Sequence, residues 1–365
     1  MAPYFVTFAL LTLAALTQFT KELKRYKLWF VIVAAIYLIL FAGLRTMGVG
    51  RDDLNYYEMF IAQAPTLYDW IFGGFVYHFS DLYMEPGYVL VNAVVKTFTS
   101  NYIFLFLTAA LISIGVTIYN YYRYSTYVLL STLLYFVHTY LYRDMNQVRA
   151  AIAAAIGLFL IAQIHNREHL KSFRTLLLSG LFHIASLSLV IPYLLSFFQI
   201  TRKKIILLYL FSLALGIIGI GRILVKLLPT SGFLFVKIAD YASDQSYGAA
   251  LKLYDPTNVK NLVILLIVLI YWKRLKTIVP YFETFALFLV VSASWRLAFS
   301  DLGIIAGRVA TFFDIVEVIV IPYFICISRY KWMTVSAIII YAFMTLYLNL
   351  YMVKISPQPY SLSLF

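Results

Sequence analysis

Five short stretches, far apart in the chain, hold residue types from which a site for an anion and a hydroxyl group could be built. They are Gly43-Leu44-Arg45 with Gly50-Arg51-Asp52 and Tyr56; Glu85-Pro86-Gly87-Tyr88; the run from Arg143 through Gln147 to Arg149; Phe182-His183; and Gly307-Arg308. Arginine carries a permanent charge on a planar fork of N–H donors that matches phosphate oxygens two at a time. Arg149, Arg308 and Arg45, with Arg143 in reserve, are therefore the candidates to bind a diphosphate. A carboxylate or an imidazole can take a proton from a hydroxyl held within hydrogen-bond reach, which singles out His183, Asp52 and Glu85 as candidate catalytic bases. His183 ranks first, because a histidine inside an apolar segment is costly without a polar task and an unperturbed imidazole titrates near neutrality. Tyr56, Tyr88 and Gln147 complete the set as candidate substrate-binding residues. Each assignment has a plainer alternative: an arginine can snorkel to lipid phosphate or pair with a nearby acid, and a helix histidine can bond a neighbouring carbonyl.

The elements that carry these residues are apolar and helical. Of the 365 residues, 63% are hydrophobic and only 12% charged, with mean hydropathy +0.86, whereas an ordinary soluble domain has about 25% charged residues. Apolar runs lie at roughly 4–19, 28–44, 102–119, 126–141, 147–164, 173–187, 188–200, 205–221, 259–272, 278–299, 306–327 and 332–351. Most approach the length needed to cross about 30 Å of hydrocarbon. Since a bilayer offers backbone groups no partner outside their own helix, the expected fold is an all-α integral membrane protein of about 12 transmembrane helices, one transmembrane domain over 1–365. The first run, Tyr4 to Phe19, lacks the basic start and small-residue cleavage site of a signal peptide, so it reads as a retained span.

If the spans alternate, the clusters Lys21/Lys24/Arg25/Lys27, Arg123, Arg167/Lys171/Arg174, Arg202/Lys203/Lys204, Lys273/Arg274/Lys276 and Arg329/Lys331 share one side. The positive-inside rule makes that side cytoplasmic. It also accounts for the net charge of +13 without a nucleic-acid partner. The candidate site residues then gather toward the outer face. The run 86–98 is too short to cross, about 20 Å at 1.5 Å per residue, and reads as a re-entrant half-helix entered and left from outside. Stretches 45–85 and 222–258 read as outward-facing loops, the first containing an amphipathic, aromatic segment from Leu54 to Phe79 suited to a helix along the interface. Gly216, Gly219 and Gly221 suit close helix packing. Cys326 stands alone, so an intrachain disulfide is excluded. His165 and His169 have metal-ligand spacing but no third ligand, and an arginine clamp would leave Asp52 and Asp53 no need of magnesium. The expectation is no metal and no cofactor.

Taken in order, these motifs resemble the EpsG family of Wzy-type polysaccharide polymerases. The matching pattern is R…G-x-D…Y from Arg45 to Tyr56, E-P-G-Y from Glu85, N-Q-x-R-x-x-I-A from Asn146, L-F-H-x-x-S from Leu181 and G-R at Gly307. Two acids, Asp52 and Asp53, stand where the pattern has one. The resemblance implies a multi-pass protein of the inner (cytoplasmic) membrane, similar to multi-span GT-C-like glycosyltransferases. It implies transfer of a growing glycan from undecaprenyl diphosphate to the non-reducing end of a lipid-linked repeat unit on the periplasmic side. The partners implied are undecaprenyl-diphosphate-linked donor and acceptor, the bilayer and a chain-length regulator. A flippase for lipid-linked glycans and a membrane O-acyltransferase are the alternatives.

Overall fold

The computed structural model describes residues 1–82, 84–227, 250–352 and 357–363, and among these every regular element is helical apart from one isolated bridge between Arg45 and Leu362. Six helices are long and apolar enough to cross a membrane: Ala2–Phe19, Lys24–Gly43, Tyr102–Tyr124, Val148–His165, Gly303–Ile327 and Lys331–Tyr351. A seventh is formed if Arg202–Ile218 and Ile220–Leu227, bent by 69°, count as one. The bend falls at Gly219, whose φ of +74° is a backbone state that a side chain would strain. Large apolar side chains face outward along these helices, among them Leu13, Val33, Leu207 and Ile217, each more than 60% exposed. An apolar surface of that kind belongs against lipid, and the chain is a multi-pass membrane protein.

Other apolar runs are interrupted. Val128–Tyr140, Ile184–Leu195 and Pro256–Ile270 are shorter apolar helices. The stretch from Leu54 to Phe79 is likewise not one interfacial helix. It breaks into Asp53–Glu58 with the π-turn Met59–Gln63, then Leu67–Ile71. Ala64, extended at φ −68° and ψ 135°, precedes Pro65, which disfavours helical backbone in its predecessor. Thr66 and Asp69 start the next helix as a reciprocal capping box.

The chain forms two compact units. The first comprises 1–159, 174–187 and 318–365. Its centre is Tyr102–Tyr124, packed by Lys27–Gly43 on one side and Val148–Gly157 on another. The first approach is close because Gly43 lacks a Cβ, which would stand 2.4 Å from Leu107 Cδ2. The short helix Pro86–Phe98 lies against Tyr102–Tyr124 and buries Tyr88, Val89, Asn92, Ala93 and Val95. Its Lys96 ammonium ties down the preceding loop by donating to Ile61 O at 2.9 Å and Ala64 O at 2.7 Å.

The second unit, 160–173 with 188–317, is built around Phe282–Ala298. Arg202–Ile218, Gly303–Phe313 and Pro256–Ile270 pack against that helix. The glycines behave as packing residues: a Cβ on Gly216 would lie 2.2 Å from Leu297 O, and one on Gly221 would lie 2.5 Å from Asp301 Oδ1. Residues 228–249 of the expected 222–258 loop lie outside the described residues.

Candidate functional site

Glu85 is the point where three parts of the first unit meet. It stands at the N-cap position of Pro86–Phe98 without a side-chain capping bond, and the helix's first residue is a proline with no N–H to leave unsatisfied. Gly87 lets this helix end touch the end of His169–Phe182, since a Cβ there would stand 2.8 Å from Leu181 O. The chain leaves His169–Phe182 at His183 and turns into the 3₁₀ segment Ile184–Leu189. That turn aims two groups at one carboxylate oxygen: His183 Nδ1 lies 2.9 Å from Glu85 Oε1, and Ile184 N donates to the same oxygen at 3.1 Å. The other oxygen, Oε2, accepts from Arg149 Nη1, in the first turn of Val148–Gly157. The Arg149 guanidinium also lies over the Tyr56 ring, 6.0 Å from its centre. Tyr56 meets Tyr88 edge to face at 5.5 Å.

Exposure divides the cluster by role. The Glu85 side chain is 5% exposed, Arg149 21% and His183 27%. The carboxylate is therefore the backing, and the arginine and histidine are what a substrate could touch. Burial alone would raise the Glu85 carboxyl, but the His183 hydrogen bond and the Arg149 charge outweigh it and hold the group at about 2. An ionised Glu85 can only accept, so His183 donates to it through Nδ1–H. The arrangement thus sets a guanidinium and an imidazole on the two oxygens of one carboxylate.

Arg45 is placed differently. Its guanidinium meets Asp53 through Nε–Oδ2 at 3.2 Å and Nη2–Oδ1 at 2.6 Å, and Nη1 donates to Ala42 O. Phe106 lies beneath it at 4.1 Å. Arg45 and Asp53 are 1% and 0% exposed, so this arginine presents no face to a phosphate. Gly50 N donates to Asp53 Oδ2 at 2.8 Å, and Met145 O would stand 2.0 Å from any Cβ on Gly50. Of the two adjacent acids, then, Asp53 serves the arginine, and the half-buried Asp52 begins the helix Asp53–Glu58. The sequence pattern leaves both acids open for one position, and the glycine three residues before Asp53 is the local feature that distinguishes it.

Arg143 is 1% exposed and donates to Ala150 O at 3.1 Å. Beside it the buried Asp144 accepts from Ser113 Oγ at 2.7 Å and Tyr135 Oη at 2.6 Å. Gln147 donates to Tyr142 Oη at 3.2 Å. Arg308 belongs to the second unit, half-buried on Gly303–Phe313. That unit also holds two ion pairs that sequence reasoning did not collect as pairs, Lys260–Glu317 at 2.6 Å and Arg296–Asp255 at 2.8 Å. Glu317 lies within an apolar run, where a carboxylate needs a partner, and that was a readable sign. His165 and His169 go to separate aromatic neighbours, Tyr281 and Phe197.

The profile of the EpsG family matches residues 3–362. The amylovoran biosynthesis protein AmsC of Erwinia amylovora is 27% identical over 301 residues, which cover 80% of this chain and 77% of that protein. No solved structure matches the chain.

Proposed function

The chain belongs to the EpsG family, and on that premise we propose that it is a glycan polymerase. It transfers a growing glycan from undecaprenyl diphosphate to the non-reducing end of a lipid-linked repeat unit. The observation that carries this reading is the shared carboxylate: Glu85 holds Arg149 on one oxygen and His183 on the other, with both held groups partly open. Similarity to a protein named for amylovoran biosynthesis supports polysaccharide assembly as the setting.

In the reaction, an acceptor hydroxyl oxygen bonds to the anomeric carbon of the donor as the bond from that carbon to the phosphate oxygen breaks. The electron pair leaves with undecaprenyl diphosphate, where Arg149 meets the developing charge with a planar donor fork. The hydroxyl proton passes to His183 Nε2, and Glu85 steadies the imidazolium that forms, without itself taking the proton. Tyr56 and Tyr88 shape the wall beside Arg149. Gln147 and Asp52 are nearby candidates for sugar hydroxyls, and Arg308 is a further phosphate-binding candidate on its own helix. Arg45 and Arg143, sealed inside the first unit, act as supports.

The reading includes a topology of about twelve crossings with Pro86–Phe98 re-entrant, a GT-C-like arrangement, and a site on the periplasmic side of the inner membrane. A chain-length regulator fits as a partner. The test is to supply purified protein with lipid-linked repeat units and neither nucleotide sugar nor acyl-CoA. The expected product is a ladder of lengthened lipid-linked glycans. Movement of unmodified glycan across a vesicle membrane without lengthening would instead identify a flippase, and a requirement for acyl-CoA an acyltransferase.

A further inference from the structure

Three of the basic loops meet around one cavity in the second unit, of about 720 Å³, well away in sequence from Glu85, Arg149 and His183. Arg167, Arg202, Lys203 and Lys276 line it against a single acid, Glu283, leaving a local charge of 4 − 1 = +3. Two of the four cations are held in position. Arg167 donates to Ser196 O at 2.6 Å, which fixes the side chain and leaves its charge unanswered, while Lys276 pairs with Glu283 at 2.6 Å. The other two open the helix Arg202–Ile218, whose first turn contains no acid.

Cations in that position work against the helix, because the unpaired N–H groups of an N-terminus already make it positive. An anion seated among them would relieve both the helix end and the side chains. The cavity wall is also not uniformly polar, since the buried Trp272 contributes an apolar flank. Both described non-glycine residues with left-handed backbone, Arg167 at φ 59° and Tyr281 at φ 58°, lie on the loops that frame it. A general need for positive loops would be met by cations spread over the surface. It does not require four of them around one hollow.

We propose that this cavity binds the phosphate of an anionic membrane lipid, with Arg202 and Lys203 as the main contacts and Arg167 as a fixed third donor. A basic recess among loops at the membrane surface suits a phosphate headgroup whose acyl chains remain in the bilayer. The site lies wholly within 160–173 and 188–317, so its test is separate from that of the Glu85 cluster.

The test is native mass spectrometry of the purified full-length protein in detergent, titrated with phosphatidylglycerol and, separately, with phosphatidylcholine. Wild type should retain one phosphatidylglycerol in preference to phosphatidylcholine. The double variant Arg202→Ala/Lys203→Ala should bind it about thirtyfold more weakly, as expected for the loss of two near-surface charges. Lys21→Ala/Lys24→Ala removes the same charge from exposed residues of the other unit and should retain the lipid as wild type does. Inorganic pyrophosphate distinguishes the source of the phosphate: failure to displace the lipid supports a lipid-only site, and displacement supports a phosphate site that soluble anions also reach. Equal retention of phosphatidylcholine, equal loss in the two double variants, or undiminished retention in Arg202→Ala/Lys203→Ala would each overturn the proposal.

Discussion

Two arginine–carboxylate pairs of the first unit, Arg45–Asp53 and Arg149–Glu85, differ in what they leave open. Arg45–Asp53 is sealed, 1% and 0% exposed, with backbone groups and Phe106 completing its surroundings. Arg149–Glu85 shares its carboxylate with His183, and its arginine and histidine are 21% and 27% exposed. The same two residue types thus make a structural tie in one place and a candidate reaction site in the other. Both carboxylates also accept a backbone N–H, from Gly50 and from Ile184; what separates them is the imidazole of His183, which joins the second carboxylate and has no counterpart at the first. A mutation at the first pair should act on folding, and one at the second should act on chemistry.

The largest effect is expected at the sealed pair. Arg45→Ala or Asp53→Ala strands a buried charge and should destabilise the protein by about 3–5 kcal/mol, seen as loss of folded material in detergent. An apolar pair of similar volume, Arg45→Met with Asp53→Leu, should recover much of that stability. Recovery of stability without activity would show that the sealed pair also serves the reaction, which would erase the contrast. Next comes Arg149→Ala, which should keep the protein folded and lower polymerisation by about 10²–10³, the usual cost of one donor at a developing anion. Arg149→Lys should rescue poorly, because it keeps the charge and loses the fork.

Glu85→Gln should have a smaller effect on turnover, a fall of up to about 10²-fold, because the imidazole loses its orienting carboxylate while the base itself remains. A steady-state series would check this, with the loss expected mainly in kcat. The smallest effect is expected for Asp52→Asn, below about tenfold, since Asp53 and not Asp52 holds Arg45. A dead Asp52→Asn enzyme with normal folding would move the base to that carboxylate.

Much of this contrast was not legible in the sequence, for definite reasons. Glu85, Arg149 and His183 each stood out because a polar residue beside or within an apolar run needs a task. That they converge depends on contacts 64 and 98 residues apart in the chain, which no local pattern encodes. Arg45 stood out for the same reason, yet type and spacing do not tell an open arginine from one closed over by Phe106 and the Ala42 carbonyl. The helical, membrane-embedded class followed directly from composition. The number of spans does not follow as directly, because apolar runs such as 126–141 and 188–200 look like full crossings while the helices there, Val128–Tyr140 and Ile184–Leu195, are shorter than the six that are long enough to cross. Burial inside a helical unit and burial in lipid call for the same side chains.

The central claim is that Arg149 holds the donor diphosphate while His183, oriented by Glu85, takes the acceptor proton. It is tested most directly by measuring donor affinity beside polymerisation rate for His183→Gln and Arg149→Ala in the same preparation. The account predicts that His183→Gln binds lipid-linked donor like wild type and turns over at least about 10²-fold more slowly, whereas Arg149→Ala loses both affinity and rate. Polymerisation by His183→Gln at the wild-type rate would contradict it and return His183 to the role of a packed helix-end histidine.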